Sequence, residues 1–275
     1  MGQFSTIDEA VLIRQGKPVN CLGLTFYPIQ MCHYEIFLAC QKALAIRQST
    51  LPVKYAVKDY LNAIFGLEID APKENREIAG SFFRMIILLG LSLRIDGLQG
   101  REFFEKNVLF RKTPNGELEI DKLRITQNGN VVEISTLDFS TKIRNLIAKQ
   151  NGIELPDENE NADLAKAQQE MGELKGSTIK LDQSIESLIS SVAYNSKVSE
   201  REIDDWTVRE FENRRKAIER DKKYTLYGQA EMSGMVSFKK GNPYPSWCYD
   251  SVDETAGTMS MTDLQKQNGD ISIQQ

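Results

Sequence analysis

The chain has 275 residues, 41% of them hydrophobic and 27% charged, which is enough apolar content for a packed core and excludes global disorder. Its net charge of -5 excludes a surface built as a whole for nucleic acid, whose phosphates demand a basic footprint. Cys21, Cys32, Cys40 and Cys248 have neither CxxC spacing nor the density of a disulfide scaffold, so they are expected as reduced thiols without a zinc site.

The first residues are polar, and Asp8 and Glu9 precede a short apolar patch, which does not suit a secretory leader. Val19 to Tyr27 (VNCLGLTFY) has the β-branched and aromatic character of a strand, stopped by Pro28. From Gln30 to Ile46, Met31, Tyr34, Phe37, Leu38 and Leu44 recur at helical spacing. Within this helix Cys32 adjoins His33, the only histidine; neighbouring helical residues point about 100° apart, so the two cannot form a nucleophile–base dyad by themselves. Pro52 separates a second helix, which runs through Phe65. A third spans Glu77 to Leu93. Its run FFRMIILLGLSL contains Arg84 and falls short of the roughly 20 residues needed to cross a bilayer, so a central, buried helix is predicted.

Val108 to Arg111, Glu117 to Ile125 and Asn130 to Ile134 alternate like strands around Asn115-Gly116 and Asn128-Gly129, the pair favoured by two-residue type I′ hairpins. A three-stranded meander is predicted. Asp138 then opens a helix with Phe139, Ile143, Leu146 and Ile147 on one side, and Asn151-Gly152 supplies a left-handed stop. Beyond it lie an acidic stretch with Pro156 and helical segments over Leu164 to Leu174, Leu181 to Ala193 and Glu200 to Asp204. The fold class is therefore α+β, mostly helical. A mixed N-terminal domain at 1–152 carries the meander, followed by an acidic linker at 153–163, a helical C-terminal domain at 164–249 and a disordered tail at 250–275.

The last helix has the clearest start: Thr207 followed by Glu210 is a capping box, with Val208, Phe211, Ile218 and Leu226 as a broken apolar stripe. From Thr207 to Lys240, nine basic residues face five acidic ones, a local surplus of four in an acidic chain. One reading makes this a recognition helix, with Arg209, Arg214 and Arg215 on phosphate or bases; the interleaved Glu210, Glu212, Glu219 and Asp221 weigh against it. Glu202, Asp204 and Asp205 suit the positive end of the helix better than a metal. Tyr224, Tyr227, Phe238, Tyr244, Trp247 and Tyr249 crowd into a short stretch, either as interface anchors or as the closure of a small core, and Met232 and Met235 suit a core. No phosphate-binding glycine loop, HExxH, GxSxG or EF-hand pattern occurs, so neither enzyme activity nor a cofactor is expected.

Three segments, Leu24 to Val57, Ile143 to Gln168 and Asp205 to Met235, together resemble proteins encoded in the tail-morphogenesis clusters of tailed bacteriophages. Within that group a two-part acidic helical protein is similar to tail assembly chaperones. The resemblance implies a noncatalytic protein in the host cytoplasm that binds the tape-measure protein, tail-tube subunits or both. A structural tail component retained in the virion, as a connector or baseplate protein, is the alternative, and DNA binding a second. Self-association is left open. Arg209, Arg214 and Arg215 are expected to steer the partner, and Phe211, Tyr224, Tyr227 and Trp247 to anchor it.

Overall fold

A computed structural model describes residues 2–70, 80–95, 100–158, 184–234 and 242–249. The architecture is mixed α+β and mostly helical, as the periodicity predicts. The chain separates into two compact units, Met1–Arg214 and Arg215–Gln275. The division falls inside the last helix rather than at 153–163, and residues 153–158 are tied to the first unit. There Ile153 N–H donates to Ala148 O at 2.9 Å, and the Glu158 carboxylate accepts from the N–H groups of Gln48 and Ser49 at 3.0 and 2.9 Å. The rest of the expected linker, the helix over Leu164 to Leu174 and the tail at 250–275 lie outside the described residues.

The first unit opens with helix α1 (Gly2–Arg14), which the sequence reading does not contain. The single strand expected over Val19 to Tyr27 is instead a hairpin of β1 (Val19–Cys21) and β2 (Leu24–Phe26). Leu22 and Gly23 both take positive φ, 52° and 81°, the signature of a two-residue I′ turn with an unusual leucine in place of asparagine. The helix expected from Gln30 to Ile46 is broken into α2 (Tyr34–Cys40) between single 3₁₀ turns at Met31–His33 and Gln41–Ala43. Beyond Pro52 come α3 (Val53–Ala56) and α4 (Tyr60–Asp70), the latter capped by Asp59, whose carboxylate accepts from Asn62 N–H at 3.1 Å. Helix α5 (Ser81–Leu93) matches the expected central helix, and α6 (Gly100–Asn107) was not anticipated.

Strands β3 (Val108–Lys112), β4 (Leu118–Gln127) and β5 (Asn130–Ser135) form the predicted antiparallel meander. Only Asn128-Gly129 makes the I′ turn, with φ of 51° and 82°. At the other Asn-Gly, Pro114 holds the negative φ of a type I turn: Gly116 N–H returns to Thr113 O, and Gly116 alone takes positive φ. The next helix begins at Ser135, which caps Asp138 N–H, and passes through α7 (Thr136–Asp138), a π turn (Phe139–Ile143) and α8 (Arg144–Asn151) before stopping at left-handed Gly152. Helices α9 (Ile185–Ser196) and α10 (Glu200–Asp204) follow, capped by Ser184 and Ser199, and α11 (Val208–Met232) runs on into the second unit.

Helix α5 is the axis of the core: Phe82, Met85, Ile86, Leu88, Leu89 and Leu93 are buried, and the helix packs on α2, α4, α6, α8 and β2. Edge-to-face and tilted contacts among Phe65, Phe82, Phe104 and Phe110, with centroids 5.2 to 6.2 Å apart, join it to α4, α6 and β3. On β4, Ile120, Leu123 and Ile125 all point inward although 120 and 123 have opposite parity. The pairing of Leu109 with Lys122 and of Phe110 with Ile120 leaves Asp121 as the extra residue of a bulge, which resets the alternation.

Side-chain carboxamides complete the backbone pairing inside the core. Asn62 donates to Ile120 O at 3.1 Å and accepts from Ile120 N–H at 2.8 Å. Gln127 does the same for Thr25, at 2.9 and 2.8 Å, and also donates to Leu93 O. Asn151 accepts from Ile29 N–H and Gln150 donates to Phe26 O. Arg144, the one buried arginine among the described residues, donates to the carbonyls of Leu44 and Ile46 and lies 3.6 Å from the Tyr60 ring centroid. Burial pushes the Tyr60 phenol up to about 12.

At the surface, Lys58 bridges Glu117 and Glu119, Arg111 joins Glu119 and Asp121, and Lys54 pairs with Asp70. Hydrogen bonds from Lys54 and then Tyr55 hold the Asp70 carboxyl below its ordinary range, and Lys58 does so for Glu117 and Glu119. The folded values lie below the unfolded ones, so this contribution is fully present above the ordinary glutamate value of 4.5 and is lost as pH falls through the depressed values. Thermal melts are expected to hold a constant midpoint between about pH 5 and 7 and to fall below about 4.5, with Lys58→Met flattening the decline. Asn62→Leu strands both polar groups of Ile120 in the core and is expected to cost about 2–4 kcal/mol in urea unfolding.

Candidate docking surface

The chain reaches α11 through a single β-bridge: Met31 N–H donates to Trp206 O and Val208 N–H to Ile29 O, each at 2.9 Å, which pairs Gln30 with Thr207. The Thr207 hydroxyl then accepts from Glu210 N–H at 3.1 Å, the predicted cap. Glu202 takes part in a second cap, with its carboxylate 3.2 Å from the Ser199 hydroxyl, which gives that acid a structural role. Among the described residues no group of three or more His, Cys, Asp or Glu side chains is placed to hold a metal ion, and no helix is long and apolar enough to cross a membrane.

The seven residues expected to contact a partner fall into two sets. Arg209, Phe211 and Arg214 belong to the first unit, and Arg215, Tyr224, Tyr227 and Trp247 to the second. Phe211 is fully buried with Val208, its ring edge-on to Tyr34 at 5.5 Å, while the Tyr34 hydroxyl donates to Glu212 at 2.7 Å. A ring with no exposed surface cannot anchor a partner, so Phe211 is corrected from docking residue to core residue. Arg209 is also engaged internally: its guanidinium donates to Lys149 O at the end of α8, and its side chain lies where Gly152 leaves room. Arg214 stacks over Trp206, 4.2 Å from the ring centroid, and sits 3.4 Å from Glu210. Two of the three arginines that the recognition-helix reading names are therefore engaged within the fold.

In the second unit, α11 runs as far as Met232, and residues 242–249 return along it. Arg215 and Lys223 both pair with Glu219, at 3.7 and 2.5 Å, as solvated i to i+4 bridges. Tyr227 meets Tyr244 with ring centroids 4.9 Å apart. No described residue of this unit is buried. Tyr224 is 39% exposed, Trp247 61% and Tyr249 79%, alongside exposed Leu226 and Met232. The aromatics thus fill no core among the described residues, and large rings face solvent, while Met235 and Phe238 lie outside the described residues. Tyr249 and Tyr244 were missing from the expected set. Their signal lay in the Pro243-Tyr244-Pro245 spacing, which restrains the chain to an extended path, along which the Tyr244 ring meets Tyr227 of the helix.

No protein-family model, curated protein or solved structure matches the chain. Phe211→Ala is expected to cost about 3–5 kcal/mol in urea unfolding, whereas Trp247→Ala should change stability by no more than about 0.5 kcal/mol.

Proposed function

We propose that the chain is a noncatalytic phage tail assembly protein, a chaperone that binds the tape-measure protein, tail-tube subunits or both through its C-terminal unit. The observation that carries the docking role is the exposure of Tyr224, Trp247 and Tyr249 in a unit with no buried residue among those described. Aromatic side chains bring large apolar area at low entropic cost, so leaving three of them in water is costly unless a partner covers them. The tail-assembly part of the reading rests on the resemblance of the three segments, and the basic surplus of the last helix supplies steering toward an acidic partner surface.

A structural tail component is the second reading, favoured by the edge position of β5, where Val131 is 61% exposed and the backbone is open to strand pairing in an assembly. Particle composition separates the two. Mass spectrometry of purified virions lacking this chain, with the chain present in infected-cell lysate, supports the chaperone; its presence at fixed copy number supports the structural component.

Co-expression with the tape-measure protein is the direct test of docking. The native chain should co-purify with it, and the Tyr224→Ala/Trp247→Ala double variant should reduce recovery at least about tenfold, the loss of roughly one hot-spot residue. Tyr194→Ala, which removes an aromatic 84% exposed in the other unit, should leave recovery unchanged. Full recovery of the double variant would reject the surface.

A further inference from the structure

Helix α5 ends with Arg94 in the left-handed region at φ 51°, where Arg94 N–H donates to Leu91 O at 3.2 Å and Ile95 N–H to Gly90 O at 3.3 Å. Glycine takes such a position freely, so an arginine there has to be held by its surroundings. Its guanidinium lies over the Tyr27 ring, 4.4 Å from the centroid. Beside this pair opens a cleft of about 340 Å³, walled by Tyr27, Arg94, Thr126 and Asn128, with Leu93 and Ile95 as its apolar side. The three segments that build it are tied together. Tyr27 N–H donates to Ser92 O at 2.7 Å, and Gln127 Nε2, also in the cleft wall, donates to Thr25 O and Leu93 O at 2.9 and 3.0 Å. Gln127 is thereby occupied. The Tyr27 hydroxyl, the Arg94 guanidinium, the Thr126 hydroxyl and the Asn128 carboxamide make no hydrogen bond or ion pair among the described residues.

We propose that this cleft binds the carboxylate of a small organic acid. Arg94 is the one charged residue among the described residues of the wall, so a single negative charge is matched. A guanidinium fork meets both oxygens of a carboxylate, and stacking on Tyr27 restrains the plane of that fork before the ligand arrives. The hydroxyls of Tyr27 and Thr126 and the amide of Asn128 are further donors on a frame already fixed by Gln127. The cleft is larger than a bare ion needs and falls at the small end of ligand pockets, roughly 300–1,000 Å³, with Leu93 and Ile95 to receive an apolar body. A free aliphatic acid and the C-terminus of a peptide share this chemistry. The site belongs to the first unit and does not depend on the docking role assigned to the second.

Isothermal titration calorimetry of the full chain is the test, with hexanoate, N-acetyl-leucine, N-acetyl-leucinamide and inorganic phosphate as probes. The better of the two acids should bind with a Kd of roughly 0.1–10 mM, and the amide and phosphate at least about tenfold more weakly. Tighter binding of N-acetyl-leucine supports a peptide C-terminus as the source of the carboxylate, and tighter binding of hexanoate a free acid. Arg94→Gly, which suits the left-handed turn and so keeps the helix end, should weaken the acid at least about tenfold. Tyr27→Phe, which keeps the stacked ring, and Thr126→Val should each weaken it about threefold, the loss of one neutral hydrogen bond. Binding of neither acid at about 10 mM, equal affinity for the amide or for phosphate, or native affinity in Arg94→Gly overturns the proposal.

Discussion

Backbone groups buried in the core must be paired, and in the first unit this requirement is met by carboxamide side chains where the short strands run out. Asn62, Gln127, Gln150 and Asn151 present the donor and acceptor of a peptide group and stand in for absent strand neighbours at Ile120, Thr25, Phe26 and Ile29. The stretch from Thr25 to Met31 depends on them most. It takes Gln127 from the meander, Gln150 and Asn151 from α8, Ser92 O at the end of α5, and the Trp206 to Val208 backbone at the start of α11. A single extended segment is thereby fixed to four distant parts of the chain, and the start of the last helix is set by the same hydrogen bonds that fix the core.

That arrangement explains why the two ends of α11 differ. Its first turn is held by a β-bridge and a threonine cap and buries Val208 and Phe211; beyond Arg214 none of its described residues is buried. Burial and exposure therefore fall on different stretches of one helix. Residues that hold its start cannot also be offered to a partner, since a side chain already desolvated and packed has no apolar surface left to contribute. The exposed rings of the second unit have that surface, and residues 242–249, which return along the helix, engage part of it where Tyr244 meets Tyr227.

Local signals were most legible where one residue type dictates one backbone state. Asn128-Gly129 turned as the pair requires, Gly152 ended its helix in the left-handed region, and Thr207 capped the helix after it. The Leu22-Gly23 turn was invisible because leucine is uncommon at positive φ, and the hairpin around it was merged into one strand. The bulge at Asp121 could not be read because its evidence is the pairing of two strands, and the π turn at Phe139–Ile143 carries the same apolar spacing as an ordinary helix. Of the expected contact residues, Arg209 and Phe211 were misread because a charged, amphipathic helix start looks the same whether it faces water or a neighbouring element.

By itself the sequence determined the α+β class, the meander, the central position of the FFRMIILLGLSL helix and the start of the last one, since each follows from periodicity or from the restricted backbone of Gly, Pro and Asn. Only the tertiary structure decided which aromatics are core and which are surface. Phe211 and Tyr224 sit on the same helix in similar charged company, yet one is enclosed beside Tyr34 and the other faces solvent. Burial is a property of what packs against a residue from elsewhere in the chain, and no local pattern contains that neighbour.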